Sequence, residues 1–198
     1  MPTPEHPLLP LLDDPPLPRS DAARNRDAVL QAAVCLVAQE GAASVTMESV
    51  AEAAGVGKGT VFRRFGSRPG LMAAVLNESE TAWQAAVIAG EPPLGPGASA
   101  YDRLVAFGRS RLELNLAHAD LIEAASGPDG HSHPARLFAV MHVRHLLAEC
   151  GVDGDLPLLA TSLLAPLDIS VVRHQVGSGF GVERIADAWC DLARRVVG

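Results

Sequence analysis

The stretch TMESVAEAAGVGKGTVFRRFG, residues 46–66, predicts two short helices joined by a tight turn. Its first part repeats apolar residues at the spacing of one helix face, and these residues are Met47, Val50, Ala51 and Ala54. Thr46 is a favourable N-cap for this helix, and Gly55 permits a left-handed turn after it. A second helix is predicted over residues 58–65, so the stretch as a whole predicts a helix–turn–helix.

The second helix of this pair is predicted to be basic on its outer side. It presents Lys58, Thr60, Arg63 and Arg64 outward, and Val61 and Phe65 inward. A polar outer face is what a recognition helix in the major groove needs, and Gly57 and Gly59 let a phosphate approach the helix N-terminus closely. From spacing alone, two interpretations stay open: DNA binding, and a small helical hairpin with a solvated basic face.

The rest of the chain predicts an all-α fold of about nine helices. Helical periodicity precedes the motif from residue 21 and follows it over 67–89, 99–117, 119–126, 135–150, 156–176 and 182–197. Pro166 is expected to kink its helix, and a loop is expected at 127–134. We therefore expect a Pro-rich disordered tail at 1–20, a helix–turn–helix head at 21–66, and a ligand-sensing and dimerisation domain at 67–198 with 67–89 as its linking helix.

Composition narrows the class of protein. The 198 residues are 48% hydrophobic and 20% charged, which is typical of a folded globular chain. The net charge of −7 argues against a general nucleic-acid binder, but residues 19–70 carry seven basic against five acidic residues. The three cysteines lie far apart, which favours reduced thiols. We expect a cytoplasmic protein with neither a signal peptide nor a transmembrane helix.

The motif resembles the DNA-binding domain of the TetR family of bacterial transcriptional regulators. The resemblance rests on A-G-V-x-K-G-T followed by a hydrophobic and an aromatic residue, then F, S and a basic residue, and it extends over residues 24–76. The remaining half matches only in the number and length of its helices, as expected for that family's variable sensor domain. The resemblance implies a homodimer on pseudo-palindromic double-stranded operator DNA, with repression relieved by a small-molecule effector.

The resemblance also implies roles for single residues in DNA binding. Thr46 lies where a hydroxyl and a backbone amide of the family meet a phosphate. Phe62 replaces a usual Tyr and so lacks its hydroxyl. Gly57 replaces a usual Ser and loses a capping oxygen. Arg68 is expected to meet a phosphate. The full set of DNA-contacting residues implied is Arg24, Thr46, Lys58, Gly59, Thr60, Phe62, Arg63, Arg64 and Arg68.

The C-terminal half is expected to hold the dimer interface and the effector. Residues 156–176 and 182–197 carry more apolar surface than a monomer is expected to expose, which favours a four-helix bundle with the partner over an internal core. The expected interface residues are Leu163, Leu167, Val171, Ile185, Trp189, Leu192 and Val196. The candidate pocket residues, mostly apolar with a few polar anchors, are Leu112, Asn115, Met141, His142, His145 and Asp168.

Other functions remain as alternatives. Asp168 lies in an apolar run, so it is expected to be buried with a structural or a ligand partner. The C-terminal histidines allow a metal-responsive regulator, although their spacing matches no zinc motif and no metal or cofactor is expected. A helix–turn–helix that serves only as an interaction module is a further alternative. The sequence contains no nucleophile motif, phosphate loop or paired acids that would indicate an all-α enzyme. We expect neither enzyme activity nor a membrane partner.

Overall fold

The structure, a computed structural model, describes residues 21–125 and 133–198. These residues form ten α-helices and one 3-10 turn, and neither described range contains a strand. The helices are α1 Asp21–Glu40, α2 Met47–Ala53, α3 Lys58–Phe65, α4 Arg68–Ala89, α5 Ala100–Ala117, α6 Ala119–Ala125, α7 His133–Glu149, α8 Leu156–Leu164, α9 Ile169–Gly177 and α10 Val182–Val197. The expected tail at 1–20 and most of the expected loop at 127–134 lie outside the described residues.

The all-α prediction is confirmed, and the helix count differs for one physical reason. The apolar stretch 156–176 is divided by the 3-10 turn Ala165–Leu167, which contains Pro166. Proline cannot donate a backbone hydrogen bond and clashes with the preceding helical turn. Two helices, α8 and α9, therefore stand where a single kinked one was expected.

Short polar side chains begin several helices, as the sequence indicates. Thr46 caps α2, and its Oγ1 accepts a hydrogen bond from Ser49 N at 3.1 Å. Ser67 caps α4 by accepting from Gly70 N at 3.2 Å. Proline at position 69 then occupies the first turn of α4, where a missing N–H costs little. These caps fix where α2 and α4 start, and so fix the length of the connections around α3.

Two clusters of buried apolar side chains organise the described residues. The head cluster joins α1, α2, α3 and the first half of α4, and the C-terminal cluster joins the end of α4 with α5, α7, α8, α9 and α10. Helix α4 belongs to both: Leu71 and Val75 lie in the head cluster, whereas Trp83 and Val87 lie in the C-terminal one. A rigid displacement of α4 would therefore change the packing of both clusters.

Helix α6 is the second connection between the clusters. Its Leu121 is buried in the head cluster, and α6 packs along α4. From the other side, Arg173 of α9 forms ion pairs with Asp120 and Glu123 of α6, the latter at 2.6 Å. Helix α6 therefore touches the head through an apolar side chain and the C-terminal domain through charged ones.

The packing of α5 against α10 depends on one glycine and one tryptophan. A Cβ placed on Gly108 of α5 would lie 2.0 Å from Cζ3 of Trp189 in α10. The indole Nε1 of Trp189 donates a hydrogen bond of 2.7 Å to the carbonyl of Leu163 in α8. This arrangement ties three helices of the C-terminal cluster together and leaves no space for a side chain at position 108.

Among the described residues, no single helix is long and apolar enough to cross a membrane. The bent pair Leu156–Leu167 and Ile169–Gly177, with 42° between its parts, satisfies the length and composition criteria together.

Candidate nucleic-acid interface

The turn between α2 and α3 is closed by backbone hydrogen bonds around a left-handed glycine. Gly55 has a φ of 65°, a conformation that residues with a Cβ rarely adopt. Val56 N donates to the carbonyl of Ala51 at 3.0 Å, and the Val56 side chain packs against the head cluster. The predicted turn is confirmed, and it fixes the direction in which α3 leaves α2.

Helix α3 has one buried side and one exposed side. Val61 is fully buried in the head cluster, whereas Phe62, Arg63 and Arg64 are exposed. Arg63 Nη2 donates a weak hydrogen bond of 3.4 Å to Thr60 Oγ1. Arg64 has no hydrogen-bond or ion-pair partner among the described residues. Two guanidinium groups thus lie side by side on this surface without a carboxylate.

Lys58, the first residue of α3, lies between two neighbours. Its Nζ forms an ion pair with Oε1 of Glu48 in α2. The same Nζ lies 5.5 Å from the centroid of the Phe62 ring, a cation–π contact. The hydrogen bond from Lys58 holds the pKa of Glu48 below its usual value, so the carboxylate stays ionised beside the ammonium.

The N-terminus of α3 is open to solvent. Gly57 is the N-cap and supplies no side-chain hydrogen bond, as the missing serine oxygen predicts. A Cβ built on Gly57 or on Gly59 meets no atom within 4 Å, and neither residue has a positive φ. Packing within the described residues therefore does not require glycine at these two positions.

At the N-terminus of α2, the groups expected to meet a phosphate already have internal partners. Thr46 N donates to Ser49 Oγ at 3.1 Å, and Thr46 Oγ1 accepts from Ser49 N. The two residues form a reciprocal capping box. Of the two groups assigned to Thr46 by resemblance, only the exposed hydroxyl remains accessible to an outside oxygen.

Arg68 has a structural position that the sequence did not predict. Its Nε donates to the carbonyl of Val45 at 2.7 Å, and its Nη2 donates to the carbonyls of Ala42 and Ala43. The half-buried guanidinium therefore satisfies the backbone between α1 and α2 instead of pointing outward. This corrects the expectation of a phosphate contact, because its donors are directed into the head.

On α1, Arg24 lies exposed close to the helix start. Arg26 is half-buried, and its Nη1 lies 3.9 Å from a carboxylate oxygen of Glu78 in α4. Arg24 therefore faces solvent, and Arg26 is directed toward α4.

The six candidate pocket residues are not brought together. Leu112, Asn115 and His142 are buried or half-buried, whereas Met141 is 54% exposed and His145 is exposed. Asn115 donates through Nδ2 to the carbonyl of Leu167 at 2.7 Å, and its buried Oδ1 has no hydrogen-bond partner in residues 21–125 and 133–198. Helical spacing could not show which residues of α7 face the interior, because α7 has apolar residues on more than one side.

His142 is held among aromatic rings. It stacks on Phe107 at 5.2 Å and on Phe138 at 5.9 Å between ring centroids. Its Nε2 is buried and has no hydrogen-bond partner in the part of the chain that the structure describes. Burial lowers the pKa of His142 to about 4, and the nearby charge of Arg103 adds to that shift. The imidazole is therefore neutral near pH 7.

The prediction that Asp168 is buried is wrong. Asp168 is exposed and is the N-cap of α9, accepting hydrogen bonds from Ser170 N at 2.9 Å and Ser170 Oγ at 2.7 Å. The break at Pro166 creates a new helix start three residues later, and a carboxylate is a preferred cap there. Its apolar neighbours in sequence face inward, while Asp168 itself lies at the surface.

Four of the seven expected interface residues lie inside the chain's own core. Leu163, Leu167, Ile185 and Trp189 are each less than a tenth exposed in the C-terminal cluster. Val171 and Leu192 are 38% and 37% exposed, and Val196 is half-buried. The internal-core interpretation therefore holds for these four side chains, which leaves Val171, Leu192 and Val196 to form any contact with a partner.

Beside these residues, α9 and α10 flank an open, mostly apolar groove of about 350 Å³. Its lining residues are Pro166, Leu167, Gln175, Phe180, Arg184, Ile185, Ala188, Trp189 and Leu192. The Arg184 guanidinium covers the Phe180 ring at 4.7 Å, and the Gln175 Oε1 is buried without a hydrogen-bond partner among the described residues. Phe180 and Gln175 belong to this groove but were not among the residues that the sequence indicated.

No group of three or more metal-ligating side chains comes together within the described residues. His142 and His145 do lie near each other, with ring centroids 6.4 Å apart. His145 is also 3.6 Å from Glu149, its neighbour one turn on.

Comparison with known proteins agrees with this geometry. The sequence pattern of the family described as bacterial regulatory proteins, tetR family, matches residues 29–75, which include α2 and α3. The chain carries the TetR-family N-terminal domain. The family's members are DNA-binding transcriptional regulators. A search of curated protein sequences finds no match.

Solved structures show that the TetR-like fold extends beyond the head. A TetR-like transcriptional regulator from Rhodococcus sp. RHA1 is 23% identical, with a TM-score of 0.57 over 90% of this chain and 97% of that one. FadR from Bacillus subtilis, in complex with stearoyl-CoA, is 15% identical, with a TM-score of 0.62 over 85% and 97%. RolR in complex with resorcinol is 18% identical, with a TM-score of 0.65 over 89% and 94%.

Proposed function

We propose that this TetR-family protein is a homodimeric repressor that binds double-stranded operator DNA through α3 and leaves it when a small-molecule effector binds the C-terminal domain. The observation that carries the DNA-binding part is the exposed surface of α3, where Arg63 and Arg64 have no carboxylate partner among the described residues. Such arginines can donate two parallel hydrogen bonds to guanine in the major groove.

The open N-terminus of α3 supports the same proposal. Packing does not require glycine at 57 or 59, so the absent side chains leave space for something outside the chain. A phosphate is favoured at a helix N-terminus, because unpaired N–H groups and the helix dipole meet there. The DNA-contacting set that we propose is Arg24, Thr46, Lys58, Gly59, Thr60, Phe62, Arg63 and Arg64, and Arg68 is reassigned to positioning the α1–α2 connection.

For the dimer, we propose the surface of α9 and α10 around the groove, with Val171, Leu192 and Val196 in the contact. These apolar side chains are exposed or half-buried in the single chain. A two-fold pair would bury them and would present two copies of α3 to one side of a duplex, as operators with two half-sites require.

For the effector, we propose contacts with Leu112, Asn115 and His142, which are buried or half-buried in the C-terminal domain. Asn115 Oδ1 and His142 Nε2 are each buried without a hydrogen-bond partner among the described residues, so each is able to bind a polar group of a ligand. Two proteins of the same fold hold small organic molecules, stearoyl-CoA in one and resorcinol in the other. An effector that binds here could move α4, since Trp83 of α4 contacts Phe107 and Phe138 in the same aromatic group.

DNA binding is tested by selecting bound fragments from a random duplex library and sequencing them. We expect an enriched two-fold sequence with half-sites separated by about one helical turn. Arg64→Ala should lose preference at one base pair of each half-site, whereas Arg195→Ala, an exposed arginine of α10, should leave the motif unchanged. A library that stays random would contradict the proposal.

The dimer is tested by sedimentation of two matched variants. Leu192→Glu places a charge in the groove and should produce monomers, because a buried unpaired carboxylate is costly. Leu137→Glu makes the same change at an exposed position of α7 and should leave the dimer intact. Equal behaviour of the two variants would remove the groove from the interface.

A further inference from the structure

Glu48 is a functional candidate that the sequence motif did not indicate. It lies in the first turn of α2, ten positions before Lys58, and the tight turn at Gly55 brings the two side chains together. Both remain solvent-accessible, with 57% of the Lys58 side chain and 55% of the Glu48 side chain exposed. The pair therefore lies on the surface that carries Arg63 and Arg64.

Within the described residues, Lys58 differs from the other cations of α3. Arg63 and Arg64 have no carboxylate near them, while Lys58 has the Glu48 carboxylate on one side and the Phe62 ring on the other. Helix α2 holds a second exposed acid, Glu52, which has no ion-pair partner among the described residues. The ion pair is therefore particular to one lysine and one glutamate of a surface that has several charges.

An ion pair at this position weakens the affinity of the protein for DNA of arbitrary sequence. Affinity of that kind comes from cations that neutralise phosphates and release condensed counterions. A lysine that is already paired with a carboxylate adds little net positive charge to the surface, so a phosphate beside it is only weakly attracted. That phosphate would also lie close to the Glu48 carboxylate, and the two negative charges repel each other.

Contact with a base edge is different, because the pair can stay intact. An ammonium group has three N–H donors, and Glu48 uses one of them. Two remain for the O6 and N7 acceptors of guanine, which lysine is able to contact in the major groove. The Glu48 carboxylate and the Phe62 ring together also restrict where the flexible lysine side chain can point.

We propose that Glu48 is a specificity-determining residue, which holds Lys58 away from phosphates and leaves its free donors directed at a base edge. This inference rests on the proposed DNA binding by α3. Glu48 acts through Lys58 and is a positioning residue, so its removal should strengthen binding to DNA of arbitrary sequence and weaken discrimination.

The test measures binding of the full chain to a fluorescent duplex of random sequence by anisotropy, over a series of salt concentrations. Glu48→Gln should bind about 3- to 10-fold more tightly near 0.1 M salt, and its log–log salt slope should steepen by about 0.9, the value for one added phosphate contact. Glu52→Gln changes the net charge equally and should have a clearly smaller effect.

A double-variant comparison isolates the lysine. In a Lys58→Met background, Glu48→Gln should change affinity and salt slope no more than Glu52→Gln does. An equal effect of the two glutamine variants in the wild-type background, or a Glu48→Gln effect that persists without Lys58, would overturn the proposal. Urea unfolding of each variant checks that the head stays folded, and an exposed pair contributes little to that stability.

Failure of this inference can be distinguished from failure of the proposed function. If the wild-type chain binds no duplex even at low salt, DNA binding itself is contradicted, and the specificity role falls with it. The contact between the side chains is measured without DNA by NMR titration of the Glu48 carboxyl. Lys58→Met should raise the pKa of Glu48 toward its ordinary value, and an unchanged titration would show that the two groups do not interact.

Discussion

The head and the C-terminal domain place their cations in opposite ways. On α3, Arg63 and Arg64 lie exposed without a carboxylate among the described residues. In the C-terminal domain, Arg109 binds Glu183 and Asp187 of α10, and Arg111 binds Glu80 of α4. Arg63 and Arg64 are thus available to an outside anion, whereas Arg109 and Arg111 hold helices together. Net charge alone does not reveal this difference.

The comparison also shows why the basic head can function in an acidic protein. The net charge of −7 comes mainly from residues 71–198, which carry fifteen acidic and nine basic residues, whereas residues 19–70 carry seven basic and five acidic ones. A duplex near α3 experiences mainly the local charges, because charges more than about 10 Å away are screened at ordinary salt. The local arrangement of charges around α3 therefore influences DNA binding more than the net charge of the chain does.

The largest expected effect comes from breaking a buried ion pair of the C-terminal domain. Arg111 Nη1 lies 2.7 Å from a carboxylate oxygen of Glu80, whose side chain is 5% exposed, and its guanidinium covers the Trp83 ring at 5.0 Å. Arg111→Met should lower the free energy of unfolding by about 3–5 kcal/mol, because it leaves a buried carboxylate alone.

Urea denaturation measures that loss. Arg195→Ala is the control, because Arg195 is exposed and, among the described residues, pairs only with Asp191 on its own helix. The control should stay within about 0.5 kcal/mol of the wild type. If the two variants were equally stable, α4 and α5 would not depend on this pair.

The next effect concerns the exposed arginines of the head. Arg64→Ala should weaken binding to the selected operator by about 1–3 kcal/mol, the usual contribution of a bidentate base contact. Its urea midpoint should not change, because Arg64 has no partner among the described residues. Anisotropy titration with the operator measures the first effect, and unaltered affinity would remove Arg64 from the reading surface.

Arg68 provides a contrast within the head itself. Arg68→Ala should lower the free energy of unfolding by about 2 kcal/mol, because the carbonyls of Ala42 and Val45 lose a charged donor. Any loss of DNA affinity should follow from unfolding and disappear at low temperature. A stable Arg68→Ala variant with a reduced salt slope would instead return Arg68 to the phosphate contacts.

The smallest effect is a pH dependence of the C-terminal domain. Because the folded pKa of His142 is about 4 and the unfolded value about 6.5, stability is full above pH 6.5 and falls as the pH decreases toward 4. With allowance for solvent screening, the loss over that range should be about 1 kcal/mol. His142→Phe should show a correspondingly flatter profile in urea unfolding, and parallel profiles would contradict the assignment.

The sequence was most informative where each local signal has a single physical meaning. Thr46 predicted the start of α2 because a short hydroxyl side chain satisfies the free N–H groups of a first turn. Gly55 predicted the turn because few other residues adopt a positive φ there. The family pattern covers the same region, so fold and candidate site coincide in the head.

The C-terminal candidates were less accurate because they depend on contacts between distant helices. Leu163 and Leu192 look alike in an apolar stripe, but one is buried under Trp189 and the other borders the groove. Asp168 looked buried from its neighbours and is an exposed cap. No local pattern states which of two apolar faces meets its own chain and which meets solvent.

The sequence by itself determined the helical class, the helix–turn–helix and the cations on α3, because these follow from short-range periodicity, capping and turn geometry. Only the tertiary structure decided that Arg68 binds the backbone, that Glu48 holds Lys58, and that Leu163, Ile185 and Trp189 lie in the chain's own core. Those outcomes depend on which groups meet across the fold, and the free energies of burial and pairing arise only once the helices have packed.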